Sequence, residues 1–242
     1  MEGLSNKISG AYIIPLRFPD RTMPTKPKSS PAKTTDSYHH GNLRQVLIDT
    51  TLRLLEQVGP ENVTVRKVAK LAGVSSGAPF RHFADRSALM TAVAEESMVR
   101  LQEEVAALLK KAAHKNPLLR FRAIGEAWVS WAVRNPSHFK VISDRRLLDL
   151  GGAAVWGPQS QAIQAEGIRL LGEAQQQGLL PGVDIKYFHL AGRSLALGFA
   201  RMYSDGHFAS WNLDERAVDQ IWQSVMDAFF RTPARKTTNK RD

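Results

Sequence analysis

The side chains able to do covalent chemistry in this 242-residue chain do not gather. Asp144, Asp149 and Glu126 are acids, but their spacing does not bring them together as a general acid and base would require. His39 and His40 are adjacent, while His138, His189 and His207 stand far apart, so the histidines lack metal-ligand spacing. The absence of cysteine removes a disulfide framework, a Cys-ligated zinc site and a thiol nucleophile. There is no glycine-rich phosphate loop, no Gly-x-Ser-x-Gly elbow and no His-Glu-x-x-His motif. Enzymatic activity, a metal and a cofactor are therefore not expected. What remains is non-covalent chemistry in residues 64–83. Ser75 and Ser76 can donate to bases or phosphates, Ala78 can touch a thymine methyl, and Arg81 can grip guanine bidentately.

The charge supports that chemistry. Thirty-three Lys+Arg against 23 Asp+Glu give +10, and the excess is unevenly placed. Residues 1–40 carry +3, residues 41–88 carry +3 and residues 231–242 carry +4, leaving residues 89–230 neutral. Such asymmetry favours a polyanionic partner, nucleic acid or acidic lipid, over simple solubility. No run approaches 18 uncharged apolar residues, and no signal peptide is expected, so a cytoplasmic location follows.

The elements that must position these residues are helical. Residues 1–37 hold five prolines among Ser, Thr and Lys and read as a flexible basic arm, with Met23 as a second candidate start. Lys26, Lys28 and Lys33 either reach an adjacent minor groove or belong to a leader with no role on DNA. Leu43, Val46, Leu47, Leu54, Leu55 and Val58 recur at helical spacing over 42–58, ended by Gly59-Pro60. Short helices follow at 65–72 and 77–83, then long ones at about 87–113 and 117–134. A shorter piece spans 138–148, with a loop over 151–158. Helices are expected at 162–177, 184–203 and 214–231, the last opened by an Asn212…Glu215 capping box. There is no convincing alternating strand. The expected fold is all-α with about nine helices, divided into a domain over 38–88 and a helical body over 89–232, followed by a basic tail over 233–242.

Residues 64–83 have the physical logic of a helix-turn-helix. Thr64 is an N-cap; Val65, Val68, Ala69 and Ala72 form a small apolar face. Gly73 permits the positive φ of a sharp helix end, and Val74 buries itself at the corner. With Ser75 or Ser76 as the next cap, Pro79 falls in a first turn, where its missing N–H is harmless. The second helix must then be short, with its N-terminus projecting as a recognition helix does.

Residues 38–100 resemble the DNA-binding domain of the TetR family of bacterial transcription regulators. The resemblance is carried by Tyr38-His-His-Gly-Asn-Leu-Arg44, the Gly59 turn, Val63-Thr-Val-Arg-Lys-Val-Ala69, Gly73-Val-Ser75 and Phe80-Arg-His-Phe-Ala-Asp-Arg-Ser-Ala-Leu89. It covers about a quarter of the chain. It implies a homodimeric repressor on a palindromic operator, released by a small hydrophobic or amphipathic effector bound in the C-terminal body. It also implies that Thr64, Arg66, Phe80, His82 and Arg86 contact the DNA backbone; Arg44, and Lys33 of the arm, are further candidates for DNA contact. Ser75, Ser76, Gly77, Ala78 and Arg81 fall where the family approaches bases. Position 80 often carries Tyr, whose hydroxyl donates to a phosphate. Phe80 lacks that hydroxyl and is assigned to packing on backbone sugar or core. An alternative reading is a ligand-independent, DNA-organising protein, which would have a filled helical body.

In the C-terminal body, Phe121, Trp128, Trp131, Phe139, Phe188, Phe199 and Met202 are the candidates for a ligand cavity, though the same residue types build cores. Residues 128–139 with Gly198 resemble a C-terminal domain of some TetR relatives. That domain has a Trp and a His leading into the glycine, and here the stretch reads Arg193-Ser-Leu-Ala-Leu-Gly198 without either. The last two long helices are the expected dimer surface: small residues Ala191, Gly192 and Gly198 with Leu195, beside the large apolar stripe Val218, Ile221, Trp222, Val225 and Phe229.

Overall fold

A computed structural model of the chain describes residues 42–148 and 157–231. The basic arm with Lys26, Lys28 and Lys33, residues 38–41, most of the expected 151–158 loop and the basic tail lie outside the described residues. Among the described residues there are eight α-helices joined by turns and short 3-10 segments, and no strand. They are α1 (Leu43–Val58), α2 (Val65–Leu71), α3 (Arg86–Lys111), α4 (Pro117–Arg134), α5 (Pro136–Ser143), α6 (Gly157–Gln176), α7 (Ile185–Ser204) and α8 (Val218–Arg231).

Most helix starts follow from local chemistry. Asp85 accepts from the Ala88 N–H at 2.9 Å to open α3. Asn116 accepts from the Leu119 N–H at 2.9 Å and Pro117 occupies the first turn of α4. Asp184 accepts from the Lys186 and Tyr187 N–H groups to open α7. Asn42 precedes α1 but makes no side-chain cap bond.

Four boundaries differ from the sequence reading, the first being the piece expected over 138–148, which is α5, Pro136–Ser143, followed by a 3-10 turn, Arg145–Leu147. Helix α6 starts at Gly157, five residues earlier than expected, because Pro158 lies in a first turn, where no intrahelical N–H is needed. Asn212 does not box α8: it adopts φ 54°, and Asp214 caps the 3-10 turn Glu215–Ala217 that leads into the helix. The expected helix at 77–83 is a 3-10 turn, Ala78–Arg81, with Pro79 in its first turn.

Helix α4 is the axis of the body, packed against α3, α6 and α7. One apolar core runs from Leu47 and Leu55 of α1 through Leu89, Val93 and Leu101 of α3 to Phe139, Leu170 and Leu171. Because α3 contributes to this core along its length, the two parts of the chain share a continuous interior. A second core joins α4, α7 and α8 through Val129, Val133, Phe199, Trp222 and Met226, with Phe208 from the intervening turn.

Candidate nucleic-acid interface and ligand cavity

The helix-turn-helix is held from within. Thr64 accepts from the Lys67 N–H at 3.2 Å, capping α2. At its other end Val74 N–H donates to Ala69 O and Gly73 N–H to Lys70 O, with Gly73 at φ 71°: a paired closure that needs a left-handed residue. Val65, Val68 and Ala69 are buried, and Val74 is half-buried against the core at the corner. The next segment starts without a serine cap. Neither Ser75 nor Ser76 is the N-cap; Gly77 is, and the Ala78 N–H donates instead to the Ser75 carbonyl at 3.0 Å. Both serine hydroxyls are thereby left on exposed residues rather than spent on the helix end.

Thr64, Arg66, Ser75, Ser76, Gly77, Arg81, His82 and Arg44 are exposed, and Ala78 is half-buried. Phe80 is 53% exposed, so it does not belong to the core. Arg44 sets its guanidinium 5.5 Å over the buried Phe83 ring, joining the start of α1 to the end of the recognition turn. Arg86 departs from its expected role. Its Nε donates to Val63 O at 2.8 Å and its terminal nitrogen to Pro60 O at 2.6 Å. It ties the α1–α2 connection to the start of α3 through two main-chain carbonyls of that connection, the Pro60 carbonyl also accepting from the Val63 N–H at 3.3 Å. Arg86→Ala is accordingly expected to lower the melting temperature, by about 2 kcal/mol of stability. Arg81→Ala should leave melting unchanged, weaken DNA binding by about 1–3 kcal/mol and relax base choice at one position. Thermal unfolding and binding isotherms on the two variants check both.

A cavity of about 80 Å³ lies among α3, α4, α6, α7 and α8. Of the seven residues expected to line it, Phe121 and Trp128 do. Trp131 and Phe139 are core residues instead, Phe139 meeting Trp128 edge to face at 5.5 Å. Phe188 joins an aromatic cluster with Phe121, Phe229 and Phe230, while Phe199 and Met202 belong to the second core. The rest of the wall is Met98, Ile124, Gly125, Ser160, Ile163, Gln164, His189, Gly192, Arg193, Ala196, Leu197 and Met226. Aromatic content selects cores and cavities alike, so it misdirects the search. The available signal was polar: His189 and Arg193 stand one turn apart in the largely apolar middle of α7. Burial lowers the pKa of both, and Arg193 adds to the effect on His189.

The expected dimer stripe divides in two. Val218 and Trp222 are 5% and 1% exposed, because they point into the second core and not away from the protomer. Gly192 faces the cavity, and Leu195 is half-buried against the second core. Ala191 and Gly198 are exposed, and Ile221, Val225 and Phe229 are half-buried. The face is completed by Tyr187, Leu190 and Leu197 of α7, which are 66%, 56% and 37% exposed. With Ala191, Ser194 and Gly198 they form an i, i+3, i+4, i+7 stripe of apolar and small residues that none of the described residues covers.

Among the described residues no group of three or more His, Asp or Glu could hold a metal ion, and no helix is long and apolar enough to cross a membrane. An exposed recognition turn on a capped α2, carried by a helical body with its own cavity, defines a DNA-binding transcription regulator of the helix-turn-helix class. Residues 47–93 match the model of bacterial regulatory proteins of the tetR family, and residues 121–229 match that of the tetracyclin repressor-like C-terminal domain. The chain belongs to the TetR family. It is similar to the HTH-type transcriptional regulator BetI of Cronobacter sakazakii, 35% identical over 83 residues, which are 34% of this chain. That match spans 41% of the length of the relative. A solved structure of a protein with unknown function from Rhodococcus sp. RHA1 is 30% identical, with 83% of this chain and 100% of that chain covered and a TM-score of 0.67. A TetR/AcrR-family regulator from Thermobifida fusca shares the fold at 16% identity, 81% and 100% coverage and a TM-score of 0.62.

Proposed function

We propose that the protein is a cytoplasmic, non-catalytic, homodimeric repressor that leaves a palindromic operator when a small effector enters the α4–α6–α7 cavity. The observation that carries this reading is the combination, on one continuous core, of an exposed recognition turn and a cavity between helices that is more than half apolar in its residues. A ligand-independent DNA-organising protein would have a filled body, and the cavity speaks against it.

Residues Ser75, Ser76, Ala78 and Arg81 read bases, while Thr64, Arg66, Phe80, His82 and Arg44 lie on the backbone. Long donors are few at the recognition turn, so phosphate contacts supply most of the affinity. With about three phosphates neutralised per protomer, log K should fall with log salt at a slope near −5. The exposed stripe Tyr187–Leu190–Leu197 on α7, with the outer edge of α8, pairs with its copy in a four-helix arrangement.

Selection of bound duplexes from a random-sequence pool tests the reading directly. A two-fold symmetric site bound by a species of twice the protomer mass, with that salt slope, is expected. Leu190→Glu should give a protomer-mass species that loses the symmetric site while retaining its helical circular dichroism. An asymmetric site, salt-independent affinity or an unaltered mass for Leu190→Glu would contradict the proposal.

A further inference from the structure

The cavity has a polar side of one electrical sense. His189 and Arg193 enter it from α7 and Ser160 and Gln164 from α6, and none of the described residues that line it is Asp or Glu. The rest of the lining is largely apolar and aromatic, with Phe121 and Trp128 of α4 and Met98 of α3, the Phe121 ring lying 5.9 Å from that of His189. Resting on the effector reading above, we infer that the effector is a compact amphipathic carboxylate, its carboxylate held by Arg193 and His189 and its apolar body against Phe121 and Trp128.

The geometry favours an anion in three ways. His189 and Arg193 are four residues apart on one helix, so their side chains share a face. A guanidinium presents a planar fork that matches the two oxygens of a carboxylate, and an imidazole N–H supplies a further donor. The imidazole is also positioned. A Cβ on Gly167 would stand 2.8 Å from His189 Nε2, so only a glycine on α6 lets the ring seat where it does. His189 is half-buried, and burial together with the neighbouring Arg193 disfavours its charged form. A bound carboxylate offsets that penalty, whereas a cationic ligand would add to it and a neutral one would leave it. Ser160 and Gln164 add hydrogen-bonding capacity beside the anion without adding charge.

The test is calorimetric titration of the full chain with straight-chain and aryl carboxylates of four to ten carbons, butanoate to decanoate and phenylacetate among them. Each is compared with its primary amide, which keeps size and shape but loses the charge. At least one acid is expected to bind ten-fold or more tightly than its amide, and more tightly at pH 6 than at pH 8 as His189 takes up a proton. Arg193→Met, which keeps the apolar stem, should remove the preference for acid, and Arg193→Lys should restore part of it. Each variant is accepted only with a melting temperature close to the parent's. Equal binding of acid and amide, preference for an amine of the same skeleton, no binding by any acid, or an unchanged preference in Arg193→Met would overturn the inference. Release of the selected duplex is read in parallel and separates the two claims. An amide that binds and releases DNA overturns the carboxylate while sparing the effector reading. An acid that binds through Arg193 without releasing DNA supports the carboxylate site and removes the effector reading.

Discussion

Arg122→Ala is expected to destabilise the protein by about 3 kcal/mol and to lower its melting temperature by roughly 6–10 °C. Arg122 leaves α4 with its Nε 3.1 Å from Glu126 and one terminal nitrogen 2.6 Å from Asp227 of α8. Its other terminal nitrogen donates to the Gln223 side-chain oxygen, and Gln223 donates in turn to Glu126 at 3.2 Å. Arg122 and Glu126 are 12% and 13% exposed, so the pair is much less screened than the surface bridges elsewhere. Removing the cation strands Glu126 among groups that cannot neutralise it, and the loss exceeds what forming the pair contributed. Arg122→Met with Glu126→Gln should recover most of the stability, because no partly buried charge is then left alone. Thermal unfolding of the single and double variants measures this; equal losses in both would show that packing of the arginine stem was the cause. The consequence is functional, since α8 supplies both Met226 of the cavity wall and the outer edge of the proposed dimer face.

The second large effect is a loss of stability in mild acid through His138. This ring is 3% exposed, lies edge to face on Trp131 at 6.2 Å, and finds no hydrogen-bond partner for either nitrogen among the described residues. Burial, with a smaller contribution from Arg100, holds its pKa down to about 4, against 6.5 for a free imidazole. The unfolded chain therefore takes up the proton first as pH falls. Stability that is complete above pH 6.5 is lost between 6.5 and about 4, at up to roughly 1.4 kcal/mol per pH unit and about 3 kcal/mol in all. His189 acts in the same sense. Asp219 acts in the opposite one, since burial raises its carboxyl to about 6 and the folded state binds that proton first. The difference between the parent and His138→Phe isolates the term. The phenyl ring preserves the contact with Trp131 and removes two unpaired polar atoms, so the variant should already be more stable at pH 7.5. Its advantage should widen by about 3 kcal/mol on going to pH 4 in denaturant titrations. A pH-independent difference would mean that the imidazole is protonated as easily in the folded protein as in the unfolded one.

The amino-acid sequence by itself determined the local structure and the class. The capping residues Thr64, Asn116 and Asp184, the Gly73 turn and the apolar periodicity of α1 and α4 are interactions among residues a few positions apart, so they are visible in the chain. The helix-turn-helix is such a local object, and its motif carries the family resemblance that singles out Ser75, Ser76 and Arg81. Orientation among distant helices is a different matter. Val218 and Trp222 lie in the same apolar stripe as Val225 and Phe229, and only the placement of α8 on α4 and α7 decides which of them face inward. Trp131 and Trp128 are one turn apart on α4, yet one packs into the core and the other reaches the cavity. The DNA-backbone contact that the resemblance implies for Arg86 gives way to an internal one, because the fold brings the carbonyls of Pro60 and Val63 to it across more than 20 residues. The cavity's polar side, finally, joins residues of α6 and α7. Sequence carries the chemistry of each of those side chains, but their convergence on one small volume is a property of packed helices, which no local pattern encodes.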